Sequence, residues 1–381
     1  MLSHFSIDDA PIPLRCKRCL GKGSAAQESS RFGSYLRRGK EVDMKSMTSR
    51  RRVSILLALV SIAALVAMPV YAPGKAEKIM VSTSGGPVGG TAYIVYSTMA
   101  AIVSQYSDKV RVSCEGGGGT AENYERIEPG KLDFGNGIDP TCYEAYTGTG
   151  AYEGKPHKHL RFLTFHHFAV QWLCTLKKSG LNTLSDLKGK RVSPGPPGTS
   201  ATIVAERVLK ANGLDVQKDC KATYLTYSDC VKALRDGNIE AGLIMGGAPT
   251  GPPSAVMDLM SMHDVKVIPL VDKGATTKIM GLGGWTVIPK GTVKGTDVDT
   301  PTWTILSFCI IRDTVPEIAA YEIVKQWLTH LPEFYKAHPV CKDMTLDRVF
   351  LGATIPVHRG AVKYYKEIGI WDKRPAGVES E

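Results

Sequence analysis

The sequence has few aromatic residues and no apolar run as long as the ~20 residues that a membrane-spanning helix needs. Only 8% of its 381 residues are Phe, Trp or Tyr, and the longest apolar stretch, VSILLALVSIAALVAM at residues 53–68, has 16 residues. The hydrophobic content of 43% and the charged content of 22% are typical of a globular chain. We therefore expect a globular protein with room for two domains of ordinary size.

The sequence also lacks the short motifs of common enzymes. It contains no HExxH metal motif and no GxSxG nucleophile motif. The glycine-rich stretch STSGGPVGGTAY has Thr91 where a phosphate-binding loop needs lysine. His157 and His159 in KPHKHL could ligate a metal, but a solvated loop is the favoured interpretation. We expect no catalysis, no cofactor and no metal site, and an enzyme is the alternative class.

An excess of basic residues is confined to the N-terminal segment. The net charge of the whole chain is +10, but residues 1–72 hold 12 Lys and Arg against 5 Asp and Glu, which leaves only +3 for the rest. A basic face for nucleic acid is therefore not indicated. The basicity belongs to a targeting segment.

Residues 47–76 have the pattern of a secretory signal peptide. RRR at 50–52 precedes the 16-residue apolar core, and small residues follow, with cleavage predicted after Ala72 or Ala76. A retained N-terminal anchor is the alternative. We interpret residues 1–46 as a disordered or mis-assigned extension. The sequence thus predicts a periplasmic protein.

Cysteine is scarce after the signal segment. Seven cysteines remain, an odd number with irregular spacing, and the first is Cys114, so no lipid-attachment site follows the apolar core. Most are expected to be buried as small apolar residues. One disulfide, between Cys220 and Cys230, is a possible exception.

From Glu77 onward, strand-like apolar runs alternate with helix-like amphipathic segments, which predicts an α/β fold. The run at 160–180 is too long for one ordinary strand and is interpreted as two strands that carry the chain into a second lobe. A return crossing is predicted at 279–291. The predicted lobe 1 is discontinuous, comprising 77–168 and 285–381, and lobe 2 is 169–284. Two crossings predict a hinge, with a ligand in the cleft between the lobes.

Three glycine-rich loops stand between a predicted strand and a predicted helix, each with a hydroxyl residue at the likely helix start. They are TSGGPVGGTAY from Thr83, GGGGTAEN from Gly116 and GPPGTSAT from Gly195. Strand C-termini and helix N-termini share one edge of an α/β sheet, so loops from both lobes can converge there. The same residues also serve simply to permit the turns and cap the helices. If the loops converge, a small carboxylate is the anion that they suit, with donors from Thr91, Thr120, Asn123, Thr199 and Ser200.

The mature sequence resembles the solute receptors of tripartite ATP-independent periplasmic (TRAP) transporters, in the branch called TAXI. The resemblance covers roughly residues 78–372 and lies in TSGGPVGGTAY, GGGGTAENYERIEPGKLDFG, SGLNTLSDLKGKRVSPGPPGTSAT and VHRGAVKYYKEIG. It implies a bilobed periplasmic-binding-protein fold of type II and no catalysis. It also implies transfer of a glutamate-like, 2-oxo-acid or dicarboxylate ligand to integral-membrane TRAP permease subunits. An ATP-driven importer for a sulfonate, nitrate or similar solute is the alternative.

The resemblance also assigns ligand contacts in the three loops. These are Thr83, Gly85, Gly89, Gly90, Thr91 and Tyr93 in the first loop, Thr120 and Asn123 in the second, and Gly198, Thr199 and Ser200 in the third. Asp139 occupies a position where it either reads an ammonium group or caps the following helix, and the cap is favoured. Arg161, Arg191 and Arg207 are expected to be structural or solvent-facing.

Overall fold

The computed structural model describes residues 77–88, 90–249, 251–270 and 284–381. The predicted N-terminal extension and signal peptide lie outside these residues. Within the described part of the chain, no helix combines the length and the apolar character that crossing a membrane requires.

The first α/β region alternates strands and helices as the sequence predicts. It begins with β1 (Ile79–Gly86), α1 (Thr91–Tyr106), β2 (Val110–Gly116), α2 (Thr120–Ile127), β3 (Phe134–Ile138) and α3 (Thr141–Thr147), with a short 3₁₀ turn at Gly150–Tyr152. Helix α1 forms because Val95, Met99 and Ile102 recur on one face, and all three are buried.

The long strand β4 (Leu160–Leu176) then leads to the second α/β region. This region contains β5 (Arg191–Ser193), α4 (Ser200–Ala211), α5 (Val216–Asp219), β6 (Lys221–Ala222), α6 (Tyr227–Arg235), β7 (Ala241–Met245), α7 (Ser254–Met262) and β8 (Val265–Val267). The remaining elements are β9 (Gly284–Ile288), β10 (Thr300–Arg312), α8 (Glu317–Thr329), α9 (Leu331–Phe334) and α10 (Arg359–Glu367). Helices α8 and α10 pack against each other, and α8 also contacts α1, so the C-terminal helices belong to the first region.

The described strands join into one continuous sheet in the order β2-β1-β3-β10-β4-β7-β5-β6, with β8 paired to β4 and β9 paired to β10. Strand β1 is parallel to β2 and β3, and β5 is parallel to β6 and β7. The two long strands β4 and β10 run antiparallel between these parallel groups. The predicted α/β class is confirmed.

Two strands link the regions, and their form corrects the sequence prediction. The run from Leu160 is one strand of 17 residues, not two, because two register shifts against β10 let it bend without ending. The return crossing is made by β10, which pairs with β3 at one end and with β9 at the other. The predicted return run at 279–291 is described only from Gly284.

Three buried clusters form the core. One fills the first region, and the other two cover opposite faces of the second region. On one face, α4 packs on Leu173 and Leu243; on the other, α6 and α7 pack on Trp172 and Ile244. The possible Cys220–Cys230 disulfide is wrong, since both cysteines are free thiols.

Candidate functional site

Several buried polar side chains have no hydrogen-bond partner among the described residues. They include Thr83 Oγ1 and Ser84 Oγ at the end of β1, Asn123 Oδ1 in α2, and Ser200 Oγ at the start of α4. Each of these four side chains is fully buried. A buried polar group without a partner is costly, by about 1–3 kcal/mol, and such groups are rare in folded proteins. Their presence at strand ends and helix starts is the main indication of a ligand site.

The first glycine-rich loop brings β1 against the start of α1. A Cβ added to Gly85 would lie 2.3 Å from the carbonyl oxygen of Ala92, so only glycine allows this close approach. Gly90 precedes the helix in an extended conformation, and its carbonyl accepts from the amide of Ile94 at 3.2 Å. Tyr93 is half-buried, and Gly89 lies outside the described residues. The loop therefore presents the N-terminus of α1 close to the end of β1.

Thr91, the first residue of α1, faces the loop that follows β7 in the second region. A Cβ added to Gly246 would lie 3.1 Å from the Thr91 hydroxyl oxygen. Gly246 itself accepts a hydrogen bond from the Trp172 indole at 2.8 Å. The N-terminus of α1 thus lies beside the second α/β region, as convergence of the loops requires.

Asn123 ties the second loop to the first. Its Nδ2 donates to the carbonyl oxygens of Ser84 at 3.1 Å and Asn136 at 3.0 Å. Its Oδ1 keeps no partner in the described chain. Thr120, at the start of α2, is also buried. Asn123 therefore holds the ends of β1 and β3 together and presents an acceptor.

The third loop divides its predicted residues between two roles. The Thr199 hydroxyl caps α4, accepting from the amide of Thr202 at 3.2 Å and donating to the carbonyl of Pro196 at 3.2 Å. Gly198 is exposed and has a positive φ of 67°. The capping explanation thus accounts for Thr199. Ser200 is different, because its buried hydroxyl lies at the junction of the two regions.

At this junction the first region contacts α4. Burial raises the pKa of Tyr152 to about 12, and the nearby Ser200 hydroxyl partly offsets that rise. The two hydroxyls lie close without a well-formed hydrogen bond, since Ser200 Oγ is unpartnered in the described chain. The guanidinium of Arg207 in α4 donates two hydrogen bonds to the carboxylate of Glu144 in α3, at 2.5 Å to Oε1 and 3.0 Å to Oε2. Helices α2 and α4 also touch. The helix that follows the second loop therefore lies against the helix that follows the third.

Asp139 does not cap a helix, so the favoured interpretation is wrong. The first turn of α3 has no side-chain cap, and Asp139 Oδ1 instead accepts from the amide of Leu306 in β10 at 2.6 Å. Its Oδ2 is buried and without a partner among the described residues. Burial raises the pKa of this carboxyl to about 7, against hydrogen bonds that lower it. The reason is topological, because β10 passes beside the end of β3 and supplies the donor.

Sequence reasoning missed two polar groups on the crossing strands. Gln171 of β4 is fully buried, and neither its Oε1 nor its Nε2 has a partner within the described ranges. Trp303 of β10 is 1% exposed and its indole Nε1 is also unpartnered there. The available signal was a lone glutamine inside the apolar stretch FAVQWLCTL.

The adjacent histidines His166 and His167 form a buried pair. Adjacent residues of a regular strand point to opposite faces, but a bulge in β4 at this point brings their Nδ1 atoms to 2.6 Å. His166 stacks on Trp327 and contacts the Tyr96 hydroxyl at 3.3 Å. Burial lowers the pKa of both, that of His167 to about 3. His166 thus belongs to the core of the first region.

We predict that burial of this pair lowers the free energy of unfolding in mild acid. Because the folded pKa of His167 is about 3, the folded ring stays neutral while the unfolded ring gains a proton below pH ~6.5. Stability should therefore fall by about 1.4 kcal/mol per pH unit from this residue between pH 6 and 4. His167→Asn keeps a polar atom near the Nδ1 position and should remove that part of the slope in urea unfolding. Equal slopes for variant and wild type between pH 6 and 4 would contradict the prediction.

The three arginines considered from the sequence all bind carboxylates. Arg161 contacts Asp313 and Glu381, Arg191 contacts Glu240, and Arg207 contacts Glu144. Their structural interpretation agrees with these contacts. In the described ranges, no group of three or more His, Cys, Asp or Glu side chains could hold a metal ion.

Two surface cavities lie away from the predicted contacts. One, of about 320 Å³, is lined by α4 and α5 residues, and the other, of about 450 Å³, lies between the end of β4 and the end of α7. Neither is lined by any of the loop residues assigned to the ligand. The buried unpartnered groups, and not these cavities, indicate the site.

Comparison with known proteins gives a family match over most of the chain. A model described as the NMT1-like family matches residues 83–369. Together with the two strands that cross between two α/β regions, this match confirms the expected fold of type II periplasmic binding proteins.

Several solved structures are similar to this chain at low sequence identity. The periplasmic aliphatic sulphonate binding protein SsuA from Escherichia coli is 17% identical, with a TM-score of 0.42, covering 80% of this chain and 90% of that chain. A binding protein component of an ABC phosphonate transporter from Pseudomonas aeruginosa is 10% identical, with a TM-score of 0.45, covering 68% of this chain and 78% of that chain. A putative L-cystine ABC transporter from Listeria monocytogenes is 13% identical, with a TM-score of 0.42, covering 68% of this chain and 93% of that chain.

Proposed function

The chain belongs to the NMT1-like family, and from this premise we propose that it is an extracytoplasmic solute-binding receptor. It captures a small organic anion or amino acid and delivers it to a membrane permease, without catalysis. The observation that carries this proposal is the set of buried, unpartnered groups on Thr83, Ser84, Asn123 and Ser200.

These groups suit a small polar ligand. The three hydroxyls can donate to carboxylate oxygens, and Asn123 Oδ1 can accept from an ammonium or hydroxyl group. The N-termini of α1, α2 and α4 add unpaired backbone amides and a favourable dipole for an anion. A ligand that satisfies these groups removes the cost of leaving them unpaired. Glutamate-like molecules, 2-oxo acids and dicarboxylates have this chemistry.

The ligand would enter between the two lobes that the sequence predicts as 77–168 with 285–381 and 169–284, and in this proposal the return crossing lies in β10, after residue 285. Strands β4 and β10 form the hinge in this proposal, because β10 pairs with β3 of the first parallel group, β4 pairs with β7 of the second, and the two pair with each other. The contact between Arg207 and Glu144 would then hold the lobes closed. Lobe closure gives the permease a surface that exists only when ligand is bound.

The proposed partner is a TRAP permease of the TAXI type. Support comes from the four sequence stretches that resemble TAXI receptors. An ATP-driven importer is the alternative, and energy coupling separates the two. Uptake in vesicles that contain the permease encoded beside the gene for this chain should require an ion gradient and proceed without ATP. Uptake that needs ATP and ignores the gradient would instead establish the alternative.

Ligand binding should stabilise the protein measurably. Thermal-shift screening of the purified chain against amino acids, 2-oxo acids, dicarboxylates, sulfonates and sugars should give a hit among the small carboxylates. Ligand at 100 times its Kd adds about 2.7 kcal/mol to the free energy of unfolding. Recovery of the ligand unchanged would support a receptor. A ligand consumed during the assay would establish an enzyme, and no response to any carboxylate would refute the proposed function.

A further inference from the structure

Gln171 and Trp303 lie side by side on the two crossing strands. Thr304 pairs with Val170 in the antiparallel ladder between β10 and β4, which places Trp303 opposite Gln171. Residues directly opposite each other in such a ladder point to the same face. The amide of Gln171 and the indole of Trp303 therefore share one face of the sheet.

That face is the one covered by α4. Ala169 and Leu173, which flank Gln171 at two-residue spacing, belong to the buried cluster that contains Trp303, Ile305 and the apolar face of α4. The intervening Val170 and Trp172 belong to the cluster on the opposite face. Gln171 thus points toward α4 and away from α6 and α7.

The same face reaches the end of the first region. Ile138, the last residue of β3, belongs to this cluster as well. Ser200 begins α4 and lies beside Tyr152 of the first region. Gln171 and Trp303 are therefore placed along the crossing strands, between the end of β3 and the helix that carries Ser200.

Their polar atoms define a complementary ligand group. Nε2 of Gln171 and Nε1 of Trp303 are donors, whereas Oε1 of Gln171 is an acceptor, and all three are unpartnered within the described chain. A second carboxylate could accept from the two donors but would leave Oε1 unpaired. A carboxamide both accepts and donates, so it satisfies all three atoms.

Resting on the proposed function of this cleft, we propose that Gln171 and Trp303 form a specificity subsite for an uncharged donor–acceptor group, best a carboxamide. The ligand then carries one carboxylate for the helix N-termini and one carboxamide for this subsite. The pair selects against dicarboxylates of the same length, because a charged group that lacks a donor leaves the buried Oε1 unpaired.

Matched pairs of ligands test this subsite. We would measure Kd by calorimetry for L-glutamine and L-glutamate, L-asparagine and L-aspartate, and succinamate and succinate. The carboxamide of at least one pair should bind about 10-fold or more tightly than its carboxylate twin, the effect of about one buried hydrogen bond to an unpaired partner. Equal or tighter binding of the carboxylates would overturn the subsite but leave the proposed function intact. Binding of no member would overturn the subsite, and the proposed function would fall as well only if the thermal-shift screen also gave no response to any carboxylate.

Variants separate a ligand role from a structural one. Gln171→Met and Trp303→Phe should each reduce the carboxamide preference about 10-fold, with the apo melting temperature unchanged or raised, because neither polar group bonds within the described fold. A fall of several degrees in apo Tm for Gln171→Met would show that the amide is used by the fold and would overturn the proposal. Trp327→Phe is the control, since that indole Nε1 is also buried and unpartnered but lies in the core of the first region. Its ligand preference should match the wild type.

Discussion

Replacing Gly85 with alanine should destabilise the protein by about 3 kcal/mol, the upper end of the range for overpacking a core. The added Cβ would lie 2.3 Å from the carbonyl oxygen and 2.6 Å from the carbonyl carbon of Ala92, and 2.9 Å from the Tyr93 Cα. All three are backbone atoms of α1, so no side-chain rotation relieves the clash. The first turn of α1 must move away from β1.

This displacement should also abolish ligand binding. The first turn of α1 carries Thr91, one of the proposed contacts, and a shift of about 1 Å in a positioning group is enough to lose most of a contact. We expect a fall in Tm on the order of 5 °C and no thermal shift with the ligand found in the screen. Both are measured on the same purified variant.

Gly90→Ala is the matched control. Gly90 lies in the same loop with a φ of −76°, which any residue can adopt, and its added Cβ would lie 3.1 Å from the carbonyl oxygen of Pro87. We expect a change in stability within about 1 kcal/mol. A Gly85→Ala protein as stable as Gly90→Ala would contradict the close packing of β1 on α1.

Replacing Asp139 with asparagine should make the unliganded protein progressively more stable than the wild type as the pH rises. The folded pKa of this carboxyl is raised to about 7 from 3.8 because the group is buried. A raised pKa means that the folded state holds the proton longer than the unfolded state, so wild-type stability is lost as pH rises between these values. Asparagine does not titrate, so the variant loses no stability from this position as the pH rises.

The expected difference has a defined size and pH range. The free energy of unfolding of Asp139→Asn should gain on the wild type by about 1.4 kcal/mol per pH unit between pH 4 and 7, and the gain should level off above pH 7. The measurement is urea unfolding of both proteins at several pH values.

Asp139→Ala separates the charge from the hydrogen bond. Alanine also removes the acceptor of the Leu306 amide, so its stability should lie about 1–3 kcal/mol below that of the asparagine variant at every pH, with the same slope. Parallel curves for wild type and Asp139→Asn from pH 4 to 8 would show that the carboxyl titrates alike in both states.

Most helices and strands could be predicted from local pattern. The spacing of Val95, Met99 and Ile102 is that of one face of a helix, and all three lie on α1. Strand propensity extends further than strand β6 does, because ATYLTY is rich in strand-forming residues but only its first residue pairs with a neighbour. The crossing strand was divided in two because bulges, which let β4 continue for 17 residues, have no clear local signal.

The site was predictable in part. Glycine followed by a hydroxyl residue marked all three loops, and those loops do lie at the starts of α1, α2 and α4. Pattern alone could not separate Thr199, which caps its helix, from Ser200, which has no partner among the described residues. It also favoured a cap for Asp139. It missed the actual partner of this carboxyl, because the donor is the backbone amide of Leu306, which is distant in the chain.

The sequence by itself determined the α/β class and the glycine-rich strand-to-helix turns, because periodicity and turn chemistry are local and are written in consecutive residues. Only the tertiary structure decided which polar groups are left without partners. Gln171 opposite Trp303, Asp139 bonded to Leu306, and Ser200 beside Tyr152 all depend on strands and helices distant in sequence. Whether a buried group is satisfied depends on every neighbour that surrounds it, and the chain supplies those neighbours only when it folds.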